Sequence, residues 1–125
     1  MTNLEKPVID PPTGEPPTEL EITDIWEGDG DEATRGNVVT VHYVGVAFST
    51  GREFDSSWNR NAPFRFPLMR AQVIEGWDRG VLGMKVGGRR KLVIPPALGY
   101  GDKGAGGVIK GGETLIFVVD LLELR

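Results

Sequence analysis

The sequence predicts an α+β domain, a curved antiparallel sheet of five to six strands lying over one short α-helix. Three features carry that reading. Short runs of alternating apolar residues recur along the chain with tight connections between them, as antiparallel strands require. Only Val73 to Met84 spaces its apolar residues, Ile74, Trp77, Val81 and Met84, as one face of a helix does. The last run, from Leu115 to Leu121, is apolar on both faces and so belongs in the middle of the sheet.

Length and composition set the bounds. The 125 residues make one domain. There is no cysteine, which removes disulfides, thiolate nucleophiles and cysteine-bound zinc. The lone histidine, His42, removes clustered imidazole metal sites. No metal and no cofactor are expected. No apolar run approaches the ~20 residues that span a bilayer, and the N-terminus lacks the charged start and apolar core of a secretory signal. The default expectation is a cytoplasmic monomer with neither membrane nor nucleic acid as partner. Net charge is −4, unevenly spread. Residues 1–32 hold ten acids and one base, Lys6, whereas residues 33–125 hold eight acids and thirteen bases. The imbalance reads either as a solubility device or as an acidic arm steering the partners of a mildly basic body.

Taken in order, residues 1–18 contain five of the nine prolines and little to bury, so they read as a disordered leader, with residues 19–125 as the domain. Leu20 and Ile22 alternate with acids and Thr23 in a first strand ending near Trp26. Glu27 to Asp31 is a turn; it starts like a calcium loop but lacks the later Gly and closing Glu. Asn37 to Ala47 is the strongest strand, with Val39, Val41 and Tyr43 on one face and Thr40, His42 and Val44 on the other. His42 reads as a half-exposed strand residue. Glu53 to Ser57 is a short strand with Phe54 inward, and Asp55 to Asn61 a polar loop in which Asp55 pairs with Arg60 or points at a ligand. Phe64 and Phe66 alternate inward.

Gly76 and Gly80 interrupt the helical segment, and each costs a helix about 1 kcal/mol against Ala. The segment is also too short to be helical alone. A surrounding sheet must hold it, with the glycines admitting a strand or a ligand close to the backbone. Leu92 and Ile94 point inward from the next strand, which Pro95 and Pro96 end. Arg89, Arg90 and Lys91, a cluster too small for a nucleic-acid footprint, read as a solvated strand face. Leu98 to Gly112 holds seven glycines. A phosphate-binding loop should open a helix, but a strand follows here, so this is read as a flexible flap.

Seven of the ten aromatics fall at inward positions or beside the flap: Tyr43, Phe54, Phe64, Phe66, Trp77, Tyr100 and Phe117. A plain aromatic core accounts for Phe66. The rest exceed what a sheet over one short helix needs, and two tyrosine hydroxyls require partners if buried. An apolar cavity with a few polar groups at its rim is the usual form of a small-molecule or peptide site.

Here the chain resembles a family. Val-His-Tyr-Val-Gly (41–45), Glu-Phe-Asp-Ser-Ser (53–57), Pro-Phe-Arg-Phe (63–66), Val-Ile-Glu-Gly-Trp (73–77), Gly-Val-Leu-Gly-Met-Lys-Val-Gly (80–87), Ile-Pro-Pro (94–96), Gly-Tyr-Gly (99–101) and Leu-Ile-Phe-Val-Val-Asp-Leu-Leu (115–122) look like an FKBP-type peptidyl-prolyl cis-trans isomerase, from about residue 19 to the C-terminus. The resemblance implies a half-barrel wrapping the helix. It implies a pocket lined by Tyr43, Phe54, Asp55, Phe64, Val73, Ile74, Trp77, Tyr100, Ile109 and Phe117, with Trp77 as floor. Tyr43, Phe54, Asp55, Trp77, Tyr100 and Phe117 would be the catalytic set, acting on proline-containing polypeptides during folding. It also implies binding of macrolides such as tacrolimus and rapamycin. The Ile74 N–H and Tyr100 hydroxyl would donate to the ligand's carbonyls, and Asp55 would accept from its hydroxyl. Two departures, Ala105-Gly106 for a His-Pro pair in the flap and Trp58 for a small or charged residue, are expected at the pocket rim.

Such chemistry needs no nucleophile. Trp77, Phe64, Val73, Ile74 and Phe117 suit a prolyl ring, and Tyr43, Asp55 and Tyr100 suit the carbonyl that rotates beside it. The alternatives are an FKBP-like binding or chaperone module and, on the Gly-rich flap alone, a nucleotide-binding domain.

Overall fold

The computed structural model describes residues 4–125. Six strands, two α-helical segments and one 3-10 turn follow one another: β1 (Glu21–Trp26), β2 (Val38–Ala47), β3 (Glu53–Ser56), α1 (Ser57–Arg60), β4 (Phe64–Pro67), α2 (Glu75–Val81), β5 (Arg89–Ile94), the 3-10 turn Pro96–Leu98 and β6 (Leu115–Leu124). Every pairing is antiparallel, in the order β1-β5-β6-β2-β3, with β4 also on β2. This is the curved sheet over a short helix that the patterning predicts. β6 lies between β5 and β2 with its first seven residues buried, as its two apolar faces require.

The inner face and α2 enclose the main core. Val39, Val41 and Tyr43 of β2, Leu92 and Ile94 of β5, and Leu115, Phe117, Val119 and Leu121 of β6 meet Trp77 and Val81 there. The helix comes so near β5 that a Cβ on Gly76 would stand 2.5 Å from Ile94, and one on Gly80 2.6 Å from Leu92. The glycines therefore admit a strand, one of the two expected possibilities. A second cluster, Val44, Val46, Val93 and Ile116, lies on the outer face with Ile9, Phe48 and Trp58 against it.

Two local readings change. The polar loop expected at 55–61 forms a helical turn, α1, whose N-cap Ser56 accepts the Asn59 N–H (3.3 Å) and whose C-cap Asn61 is left-handed. The first strand forms as expected: β1 is an edge strand, paired only with β5 and exposed throughout, while Leu20 just before it packs on the core. The Arg89–Lys91 cluster is no solvated face. Arg89 is buried, bonded to Asp120 (2.7 Å) and stacked over Trp26, while Arg90 pairs with Asp24 and donates to the Gly80 and Leu82 carbonyls at the end of α2. Its guanidinium satisfies carbonyls that a helix terminus leaves open. The Pro-rich segment forms no helix or strand at residues 4–18, and Ile9 rests on the outer cluster; residues 1–3 of that segment lie outside the described residues.

Candidate active site

The site begins where β2 changes partner along one edge. β4 pairs with Val38–Val41 and β3 with Val44–Val46, so the two strands part at His42 and Tyr43. Ser57 of α1 fills the gap. Its buried Oγ accepts the Tyr43 N–H (2.7 Å) and approaches the Tyr43 carbonyl (3.3 Å), standing in for the absent ladder partner.

Inside the parted strands a cavity of about 210 Å³ opens, lined by Tyr43, Phe54, Asp55, Phe64, Gln72, Val73, Ile74, Trp77, Tyr100 and Phe117. Trp77 is its aromatic hub, with its ring 4.8 Å from that of Tyr43, 5.2 Å from Phe117, 5.6 Å from Phe66 and 6.0 Å from Phe64. The first two contacts are almost perpendicular, the arrangement aromatic quadrupoles favour. A space of this size falls below the roughly 300–1,000 Å³ of sites that enclose a drug-sized ligand. It suits one ring and the peptide group beside it.

The wall at Val73 and Ile74 is built by a buried carboxylate. Asp78, in α2, accepts the backbone N–H groups of Met69 (2.8 Å) and Ala71 (3.1 Å), both of which have left-handed backbones. Those two bonds hold a turn that non-glycine residues resist, and the turn delivers Val73 and Ile74 to the cavity. Nothing in the local pattern marked Asp78 for this role.

At the rim, Asp55 receives the Tyr43 hydroxyl on Oδ2 (2.6 Å) and the Arg60 guanidinium on Oδ1, while Arg60 also donates to the Tyr43 oxygen (2.8 Å). Burial pushes the Asp55 carboxyl up, but the hydrogen bonds from Tyr43 and Arg60 and the Arg60 charge outweigh it and hold the group below its ordinary range. Burial, then the Asp55 bond, raises Tyr43; burial, then the Asp55 charge, raises Tyr100. Asp55 therefore has both roles that the sequence left open, loop partner of Arg60 and wall of the cavity. Tyr43, by contrast, has its hydroxyl proton committed to Asp55 and does not offer it to a ligand. The Ile74 N–H and the Tyr100 hydroxyl have no acceptor among the described residues, and neither has the buried Trp77 Nε1–H of the cavity floor.

Nine of the ten residues expected around the pocket do line it. Ile109 is instead buried in the core beneath the flap, where it exchanges two backbone bonds with Ala105. Gln72, a polar loop residue with no distinguishing pattern, takes a place on the wall. Trp58 is not at the rim: its ring stacks on His42 at 4.1 Å and packs on the outer cluster. An order resembling a hydrolase also appears, with Ser57 Oγ 2.8 Å from His42 Nδ1 and the Asp120 charge acting on His42. Ser57 has no exposed surface and its oxygen is engaged by Tyr43, so it is no nucleophile.

An open antiparallel half-barrel, with a ring-walled cleft over a glycine-bearing helix and no activated nucleophile among the described residues, defines the class. Residues 30–122 match the model of the FKBP-type peptidyl-prolyl cis-trans isomerase family. An FK506-binding protein of Streptomyces anulatus is 65% identical over 123 residues, 98% of this chain and 99% of that one. A probable FK506-binding protein of Corynebacterium glutamicum is 52% identical over 120 residues, 96% of this chain and 99% of its own. Among solved structures, AtFKBP13 superposes with a TM-score of 0.79 at 37% identity, over 88% of this chain and 96% of that one. FkpA from Escherichia coli gives 0.77 at 39% identity, over 85% of this chain and 48% of its own. The chain belongs to the FKBP-type peptidyl-prolyl cis-trans isomerase family.

Proposed function

We propose that this protein accelerates cis-trans rotation of X–Pro bonds in proline-containing polypeptides as they fold, and that macrolides such as tacrolimus and rapamycin compete for the same cavity. The observation that carries the reading is the pairing of an aromatic, open cavity over Trp77 with rim donors left free for a ligand, among them the Ile74 N–H and the Tyr100 hydroxyl.

Rotation about a peptide bond meets a barrier of ~18–20 kcal/mol because nitrogen shares its lone pair with the carbonyl. For X–Pro the two isomers are nearly balanced and exchange takes tens of seconds or longer. In the twisted transition state the sharing is lost, and the carbonyl oxygen carries less negative charge. Trp77, Phe64, Val73, Ile74 and Phe117 hold the prolyl ring and exclude the water that favours the planar, polar amide. Asp55, kept ionised by Tyr43 and Arg60, sets a negative charge beside the rotating carbonyl and disfavours the planar form more than the twisted one. Tyr100 and the Ile74 N–H grip the carbonyls on either side, so the chain is held while one bond turns.

A temperature-jump assay on an X–Pro peptide, with and without rapamycin, tests this. Accelerated isomerisation blocked by the macrolide is expected. Tight binding of unfolded polypeptide without acceleration would replace the enzyme by a binding module.

A further inference from the structure

The Pro-rich segment before β1 lies on the outer face, away from the cavity, yet it grips the strand that carries Asp55. Two contacts dock it: Ile9 packs on the outer cluster, and the Glu5 carbonyl accepts from Arg89 (2.7 Å). Between them Lys6 reaches Glu53 Oε1 (2.8 Å) and Asn59 Oδ1 (2.9 Å), and Asn59 Nδ2 donates to Glu53 Oε2 (2.9 Å). The three side chains close a ring. Pro7 helps by restricting Lys6 to an extended backbone.

The position of this ring gives it a consequence for the site. Glu53 directly precedes Phe54 and Asp55, whose side chains both line the cavity, with the β2–β3 register shifting between Glu53 and Asp55. Asn59 precedes Arg60, the partner of Asp55. The segment 53–60 is thus tied β3 to α1 twice, by Asp55–Arg60 at the cavity and by Glu53–Lys6–Asn59 on its outer side. We propose that Lys6 is a positioning residue, through which the N-terminal segment holds the Asp55–Arg60–Tyr43 network in its working geometry. The proposal rests on the isomerase reading above. Being part-exposed, Lys6 adds little to folding stability, and its effect falls on geometry.

The test uses the full chain with Lys6→Met, which keeps the stem and drops the charge. Turnover, kcat, on an X–Pro peptide is expected to fall about two- to fivefold, with KM and Tm unchanged and with Lys6→Arg restoring the rate. Lys6→Met should cause no further loss in an Asp55→Val background, since it acts through that residue. Wild-type turnover in Lys6→Met, or losses that multiply in the double variant, would overturn the proposal. Backbone amide shifts of Phe54, Asp55 and Arg60 give a readout independent of turnover. They should move in Lys6→Met, and shifts that stay put count against the clamp. Should the wild-type chain itself fail to accelerate the peptide, the isomerase reading falls, and the shifts alone judge whether Lys6 holds β3 to α1.

Discussion

At Asp55 one carboxylate bonds Arg60 and Tyr43 and also faces the cavity. Replacing it with Val removes the charge from the reacting carbonyl, and the half-exposed Arg60 regains water. We expect Asp55→Val to lower kcat/KM roughly tenfold or more, the worth of one charge-assisted contact. Melting should drop by only a few degrees, since an exposed pair contributes about 1 kcal/mol or less. Unfolding at room temperature would assign Asp55 to structure instead. The titrating groups of the rim lead to a second expectation. Asp55 is held below the ordinary carboxyl range, and Tyr43 and Tyr100 are raised above the ordinary phenol range. None of the three changes charge between about pH 5 and pH 9, so turnover should be flat there. A bell-shaped profile of kcat/KM would require a proton-transferring base that this mechanism does not contain.

Helix α2 forms despite its own sequence. Seven residues with two glycines have no independent stability, and the N-cap Ile74 makes no side-chain bond. The supports come from elsewhere. Arg90 closes the C-terminal carbonyls, and Asp78 ties the first turn to the preceding loop. The close approach to β5 lets Trp77 and Val81 enter the core. Gly76→Ala tests the balance. Intrinsic propensity would gain about 1 kcal/mol. The new methyl would press on Ile94, which is wholly buried and stiff at its branched Cβ, and such overpacking costs about 1–3 kcal/mol. A net loss of about 1 kcal/mol in urea denaturation is expected, with reduced turnover because Trp77 is displaced. A more stable variant would mean that β5 yields to the helix.

Across the whole molecule, the sheet has two covered faces with different tasks. The inner face builds the cavity, and the outer face stacks His42 on Trp58 and carries the N-terminal segment. Burial lowers the His42 pKa, and the Asp120 charge only partly restores it. Unfolded chains then bind the extra proton first as pH falls, so stability declines once pH drops below about 6.5, the ordinary imidazole value. Asp120 acts with the opposite sign, since burial raises its pKa above the ordinary value of 3.8 and Arg89 opposes the shift. Acidification from that raised pKa towards 3.8 favours the folded state. Calorimetric Tm should therefore fall between pH 7 and pH 5.5 in the wild type, and fall less in His42→Phe. Equal slopes would remove His42 from the account.

Local pattern alone determined the strands, the one packed helix and the central place of the last strand, because alternation of apolar residues is a property of neighbours along the chain. The resemblance to the FKBP family, carried by the order of the motifs, supplied nine residues that line the cavity. Tertiary structure alone decided that two strands share the edge of β2, that Trp58 lies on the outer face and that Ile109 packs beneath the flap. It alone decided, too, that the Tyr43 proton goes to Asp55 and that Arg90 closes α2. Each of these depends on which face of a curved sheet a side chain meets, and the Arg90 side chain that closes α2 is itself held by Asp24, 66 residues away. Register and curvature set those encounters, and no short window of sequence contains them.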